Sequence, residues 1–305
     1  MFSVIIPLFN KDKSINTTIN SVLSQTFQSF EIIIIDDGST DQSVQRVKEF
    51  NDPRIRLITK ENGGVCSARN VGIKESTYDY VAFLDADDIW DSDYLLEQTR
   101  MIQDFPDAYM WGLNFAEISN GRKVRTLATG LPSEFRGLVE NYFGLRGRVS
   151  DLFCSSSVVI KKNAFNKAGL FDERLKYSED IDMWYRIIAN YPVAFNDKCY
   201  AYYRFDAENR AMIRKQDMRY FMPYVNGKYK AYKGVEPFYT YVERWCAIKI
   251  KDYYFRQKDQ RKYALEASRD LDYSVLPSKY KLFFKLPFPM AYVVWFSSEL
   301  IHKMK

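Results

Sequence analysis

The run from Phe30 to Ile35 is almost wholly apolar and stops at Asp36-Asp37-Gly38-Ser39-Thr40-Asp41. A second run, Tyr80 to Leu84, stops in the same way at Asp85-Ala86-Asp87-Asp88. Short apolar stretches without alternation read as strands covered on both faces, which is the situation of a parallel sheet flanked by helices. In such an open sheet, ligands bind in the crevice beyond the carboxyl ends of the strands. Carboxylates clustered at two strand ends therefore suggest a hard-cation site facing a phosphate-bearing substrate.

The first hundred residues alternate between strand-like and helix-like patterns. Phe2 to Leu8, Phe30 to Ile35, Arg54 to Thr59 and Tyr78 to Leu84 read as strands. Between and after them, Ile15, Ile19, Val22 and Leu23 recur at helical spacing behind a possible Ser14 cap. Ser39 or Thr40 can cap a helix running to Phe50, and Ser67 to Glu75 and Asp91 to Gln103 supply two more. This order predicts an α/β fold with a doubly wound, mostly parallel sheet and right-handed crossovers. A further strand is expected within Asp104 to Gly121, then Cys154 to Ile160 as a strand, helices at Asn163 to Ala168 and Ile181 to Ala189, and a last strand at Tyr200 to Phe205. From Asp206 on, glycines thin out and tyrosines and basic residues dominate. The expected division is therefore 1–205 as the α/β domain and 206–305 as a mainly helical C-terminal region.

Composition narrows the chemistry. His302 is the only histidine, which removes Ser-His-Asp, Cys-His and multi-histidine metal sites. Acid–base work must fall to carboxylates. Cys66, Cys154, Cys199 and Cys246 form no Cys-x-x-Cys pair, so neither a disulfide framework nor a zinc ribbon is expected, and a reducing cytoplasm is. Met1 to Pro7 lacks the basic start and cleavage site of a secretory signal and reads as a first strand. The formal charge of +5 is mild and selects no partner by itself. Nucleic acid is not expected, because no recognition element is present and the sheet end is acidic.

Taken singly, the polar clusters have ordinary explanations. Asp-rich turns are usually solvated, Asp36-Asp37 could simply favour a helix dipole, and Ser178-Glu179-Asp180 could be a capped helix start. The turn Asn62-Gly63-Gly64-Val65-Cys66-Ser67-Ala68-Arg69-Asn70 lacks the glycines of a dinucleotide fingerprint. Their order is more informative. Val4-Ile5-Ile6-Pro7-Leu8-Phe9-Asn10, Asp36 through Asp41, Asn62 through Asn70, Phe83-Leu84-Asp85-Ala86-Asp87-Asp88-Ile89-Trp90 and Glu179-Asp180-x-Asp182-x-Trp184 together resemble the inverting, nucleotide-sugar-dependent glycosyltransferases of family 2, of the bacterial polysaccharide and lipopolysaccharide type. The resemblance spans roughly residues 1 to 205 and implies the GT-A fold.

It also implies roles. Pro7, Phe9, Asn10, Asp36, Asp37, Arg69, Asp85 and Ala86 would lie along the nucleotide, with Phe9 where the family often has tyrosine. Asp87 would be the direct ligand of Mn²⁺ or Mg²⁺. Asp180 would be the catalytic base, with Glu179 and Trp184 towards the acceptor. Arg204 and Arg210, flanking a polar stretch, would reach the diphosphate from a closing loop, with plain surface solvation as the other reading. The implied activity is transfer of one sugar, expected from a UDP-sugar, to a saccharide or lipid-linked saccharide in cell-surface glycan synthesis. A binding protein of the same fold without turnover is the alternative, and the presence of Asp87 and Asp180 speaks against it.

Arg244-Trp245 is similar to part of a processive-synthase element, yet Tyr241 stands where glutamine is required, and no apolar run reaches eighteen residues. A non-processive enzyme is expected, with Trp245 in helix packing. Phe283, Phe284, Phe288, Tyr292, Trp295 and Phe296, with Lys279, Lys281 and Lys285, suit either an anionic membrane surface on the inner face of the cytoplasmic membrane or a helix docked on the core.

Overall fold

The computed structural model describes residues 1–119, 122–125, 130–145, 152–209, 217–221 and 229–303. It separates into two compact units, Met1–Glu173 with Ser178–Arg214, and Arg174–Tyr177 with Lys215–Lys305.

The first unit is built on a ten-stranded sheet. Its strands are β1 (Phe2–Leu8), β2 (Phe30–Asp36), β3 (Ile55–Thr59), β4 (Tyr80–Phe83), β5 (Ile89–Trp90), β6 (Met110–Ser119), β7 (Arg122–Arg125), β8 (Arg136–Leu138), β9 (Val158–Lys161) and β10 (Val193–Arg204). They run in the order β3-β2-β1-β4-β9-β6-β10-β5, with β7 on β6 and β8 on β10. The half β3-β2-β1-β4 is wholly parallel. Every residue of β2 is buried, as its unbroken apolar run demands. Helices α1 (Ile15–Leu23), α2 (Ser43–Lys48), α3 (Val65–Glu75), α4 (Tyr94–Asp104), α5 (Phe165–Ala168) and α6 (Glu179–Ile188) accompany the sheet. Ile15, Ile19 and Val22 of α1 join Val4, Ile6, Ile32 and Ile34 in one core, while Ile33 and Ile35 meet Ala68 of α3 in another. Gly72 lets α3 seat against β1, because a Cβ there would collide with the Ile5 side chain.

This is the GT-A-like α/β architecture, with β1 as its hinge. The chain leaves β1 for β2 on one side and β4 on the other, so the topological switch lies beside β1, where the loops after β1, β2 and β4 converge. Some elements differ from expectation. β9 enters antiparallel between β4 and β6. β10 starts at Val193, seven residues before the expected strand, because Asn196 and Asp197 break its apolar pattern yet are buried on partners, Asn196 donating to Glu97 Oε1 at 2.9 Å and Asp197 Oδ1 accepting from Asn114 at 2.8 Å. α2 begins only at Ser43, so neither Ser39 nor Thr40 caps it; Asp41 Oδ1 accepts from Ser43 N at 2.9 Å.

The second unit is helical: α7 (Phe238–Arg256), α8 (Arg261–Ala267), α9 (Ser278–Lys285) and α10 (Phe288–Lys303). Trp295 stacks on Phe255 of α7 at 5.0 Å, and Phe283 and Phe284 meet Phe255 and Tyr254 edge-on, so one side of the tail does dock on a helix. Trp245 is buried against Phe221. The outer side of α10 is different: Met290, Val293 and Phe296 are 57%, 64% and 50% exposed. Among the described residues no helix is long and apolar enough to cross a membrane.

Candidate active site

β1 ends at Leu8 and the chain turns through Asn10, whose φ of 53° is left-handed, a conformation asparagine tolerates. Asn10 Oδ1 accepts from Thr40 N at 2.8 Å, Asn10 N donates to Ser39 Oγ at 3.1 Å, and Asp12 N donates to Asp41 Oδ2 at 3.2 Å. The loops after β1 and β2 are thereby zipped together, with Pro7 and Phe9 half-buried at their root. The polar residues of Asn10 and the Asp36–Asp41 motif thus serve first to shape this rim.

Asp36 is buried and accepts from Ser39 N at 3.1 Å. Asp37, expected along the nucleotide, anchors the turn that enters α3. Its Oδ1 accepts from Gly63 N at 2.9 Å and pairs with Lys60 at 2.6 Å, and its Oδ2 accepts from Gly64 N at 2.7 Å. A buried carboxylate so satisfied is holding a turn. It fixes Gly63-Gly64, the entry to α3, where Gly64 has φ 90°. Behind that entry, burial pushes the Cys66 thiol up to about 12, so Cys66 is an inert small apolar group.

The loop after β4 carries Asp85 to Asp88. Ala86 is buried and its carbonyl accepts from Thr18 Oγ1 at 2.9 Å, which anchors the loop to α1. Asp88 turns inward, 1% exposed, accepting from Ser156 Oγ at 2.5 Å and from the amide of Arg204 at 3.1 Å. Burial, and then its neighbours Asp87 and Asp85, raise its pKa well above the ordinary aspartate value. Asp87 faces Lys11, whose ammonium donates to Oδ2 at 2.6 Å. Burial raises its pKa as well, against the lowering effect of Lys11.

Asp85 pairs with a different cation. Arg69, on α3 and 2% exposed, donates through Nη2 to Asp85 Oδ1 at 2.8 Å and through Nη1 to Glu179 Oε1 at 3.0 Å. Burial works against the guanidinium charge, but Asp85, Glu179 and Asp180 outweigh it and raise its pKa. Arg69 is thus a buried bridge between two motifs. Asp180 lies beside this bridge in the first turn of α6 and accepts from Ile181 N at 2.7 Å. Burial, and then the negative Glu179, push its pKa up to about 7, with Arg69 pulling it down. A carboxylate titrating near neutrality is suited to exchange protons.

Trp184, expected towards the acceptor, is buried. It is 2% exposed against Phe83 and Phe171, because its position on α6 faces the sheet. On the same helix, Asp182 pairs with Arg186 at 2.8 Å and holds the helix to the α5 turn through the Arg186 bond to Leu170 O. Arg204 ends β10 with its side chain 3.5 Å from Asp206; Arg210 lies outside the described residues. Sequence reasoning missed Lys11, Lys60, Ser156 and Glu208, none of which stands in a recognisable pattern. For Lys60 the available signal was its place just after β3, beside β2, which Asp37 directly follows.

Comparison with known proteins bears on the fold and the family. The TarS 1–349 fragment of S. aureus, solved in complex with UDP-GlcNAc, superposes with a TM-score of 0.80 over 99% of this chain and 91% of that one, at 20% identity, a likeness of fold. An uncharacterized glycosyltransferase of Rickettsia conorii is 29% identical over 211 residues, 68% of this chain and 34% of that protein. The Escherichia coli UDP-Glc:alpha-D-GlcNAc-diphosphoundecaprenol beta-1,3-glucosyltransferase WfgD is 34% identical over 142 residues, 46% of this chain and 56% of that protein. The match thus spans about a third of the length of the Rickettsia conorii protein and somewhat over half that of WfgD. The family model for glycosyl transferase family 2 matches residues 3–173, the stretch that carries every loop of the switch point and the bridge from Arg69 to Asp85. With more than half of its length matched, this chain belongs to glycosyl transferase family 2.

Proposed function

We propose that this chain transfers a single sugar from a nucleoside-diphosphate sugar, with UDP as the nucleotide, to a saccharide or lipid-linked saccharide, inverting the anomeric centre in one displacement. The observation that carries this reading is the Arg69 bridge. One guanidinium ties Asp85, in the motif expected to meet the metal and diphosphate, to Glu179, the neighbour of the expected base Asp180. The two ends of a glycosyl transfer, departing phosphate and attacking hydroxyl, are thereby set within one side chain's span. The UDP donor is supported by WfgD and TarS, whose names and bound ligand specify UDP-sugars, and the lipid-linked acceptor by the diphosphoundecaprenol of the former.

The residues present fit a divalent cation. Asp87 and Asp85 offer hard carboxylate oxygens, Asp87 already draws a positive charge to itself, and among the described residues no group of three acidic, cysteine or histidine ligands is gathered. Mg²⁺ and Mn²⁺ suit such a sparse set, because substrate phosphates complete their shell. Asp87 would be the direct ligand, and the cation would supply charge neutralisation for the departing diphosphate. Asp180 takes the proton of the acceptor hydroxyl while that oxygen bonds to the anomeric carbon and the bond to the diphosphate oxygen breaks, its electron pair leaving with the nucleotide. Arg69 holds Asp85 and Glu179 in place and keeps Asp180 from titrating higher.

The test is calorimetry of UDP binding. Affinity is expected to fall at least about tenfold when Mn²⁺ is replaced by EDTA, since Asp85 and Asp87 then face a diphosphate with no cation between them. Equal affinity in EDTA overturns the metal reading.

Contact with an anionic bilayer is part of the proposal. The exposed Met290, Val293 and Phe296 recur at helical spacing along α10, and the exposed Lys279, Lys281 and Lys285 of α9 precede them. Flotation with vesicles containing phosphatidylglycerol is expected to carry the protein upward, and with pure phosphatidylcholine to leave it behind. Replacing Val293 and Phe296 by serine should abolish flotation; variants that float like wild type remove the reading.

A further inference from the structure

Lys11 has no role in the transfer described above, yet its ammonium is among the most fully engaged groups of the first unit. It donates to Asp87 Oδ2 at 2.6 Å and to the Glu208 carbonyl at 2.5 Å, with a longer contact to the Asn209 carbonyl at 3.4 Å. An ammonium has three protons to donate, and three oxygens face this one. The pair is sheltered, with side chains 11% and 15% exposed. Glu208 is fastened a second time. Its carboxylate accepts from Ser14 Oγ at 2.6 Å, Ser14 N at 3.1 Å and Lys13 N at 3.2 Å, so it sits at the start of α1, where the first N–H groups lack helical partners and negative charge is favoured. Ser14, the expected cap, is here the donor. The stretch following β10 is consequently tied at two points, by its backbone to Lys11 and by a side chain to α1.

One positive charge ringed by oxygens, one of them the carboxylate expected to ligate metal, is what a bound cation would make of the same place. We infer that Lys11 is a built-in cation that occupies the metal's place at Asp87 while donor is absent, straps residues 208–209 down, and releases Asp87 to the incoming cation by moving its ammonium onto the diphosphate. The inference rests on the donor reading given above. Its physical basis is repulsion: an ammonium and a divalent cation on one carboxylate oppose each other, so a bare cation must displace Lys11 without compensation. A cation arriving with a diphosphate brings phosphate oxygens, to which the ammonium can transfer as a charge-assisted donor. The same transfer frees the Glu208 and Asn209 carbonyls, so donor binding and loosening of the strap are one event. Lys11 is thus a positioning residue that makes metal uptake depend on nucleotide.

The experiment uses the full chain. Mn²⁺ alone is titrated into wild type, Lys11→Met and Glu208→Gln, and hydrogen exchange is followed in peptides covering 204–209 without ligand. Lys11→Met is expected to bind Mn²⁺ alone at least about tenfold more tightly than wild type, because Asp87 loses its resident cation, and to exchange faster across 204–209. Glu208→Gln is expected to speed exchange there while leaving Mn²⁺ affinity within about twofold, since Lys11 stays on Asp87. Lys11→Met that is folded, binds Mn²⁺ no better than wild type and keeps its exchange pattern overturns the inference. If Lys11→Met does not fold, Asp87→Asn serves: it deprives Lys11 of its carboxylate, so exchange across 204–209 should rise, and unchanged exchange overturns the inference. Wild type that takes up no UDP in the presence of Mn²⁺ fails the donor reading instead, a result separate from the exchange pattern of the free protein.

Discussion

Asp180→Asn is expected to lower sugar transfer by about 10² to 10⁴ fold while UDP affinity in Mn²⁺ stays within about threefold, because a general base acts on the acceptor proton and not on the nucleotide. The pH dependence gives a second reading of the same carboxylate. With its pKa near 7, wild type should lose rate tenfold per pH unit below that point, as the base becomes protonated. Stability runs the opposite way. The folded pKa stands above the unfolded value of 3.8, so between about pH 4 and pH 7 the folded protein holds a proton that the unfolded chain has released, and stability falls as pH rises through this window. The asparagine variant escapes that loss. It should melt higher than wild type at pH 8, by up to about 4 kcal/mol for a shift of this size, and match it near pH 4. A variant that turns over normally moves the base to another residue.

Arg69→Met is expected to be the most destabilising single change in the site, costing about 3–5 kcal/mol and lowering the unfolding midpoint by about 10 °C. The buried guanidinium answers Asp85 and Glu179 together, and methionine leaves both carboxylates with no counter-charge from this position. Arg69 also pulls the Asp180 pKa down, so residual activity should show its acid limb at higher pH than wild type. Arg69→Lys should recover only part of the stability, since one ammonium lacks the fork that reaches two carboxylates. Thermal unfolding, with the pH–rate profile, measures all of this; a methionine variant melting within a degree of wild type would reduce the bridge to an ordinary contact.

What could be read without coordinates is what local chemistry writes into neighbouring residues. Ile32 to Ile35 are buried on both faces because an unbroken apolar run can only be covered twice, and the aspartates after β2 and β4 fall at strand ends because charge halts such a run. The parallel half of the sheet, its helices and the family motifs follow from patterns a few residues long. What tertiary structure alone decided are the partnerships. Arg69 meets Glu179 across 110 residues, Lys11 meets Asp87 across 76, and Glu208 meets Ser14 across 194. The same holds for Asp37, which two glycine amides and Lys60 bind, and for Trp184, whose indole α6 turns towards Phe83. A charged side chain carries no record in its own sequence neighbourhood of which opposite charge will stand beside it. That is set by the strand order, which brings the loops after β1, β2 and β4 to one edge, and by the burial that makes each ion there require a partner.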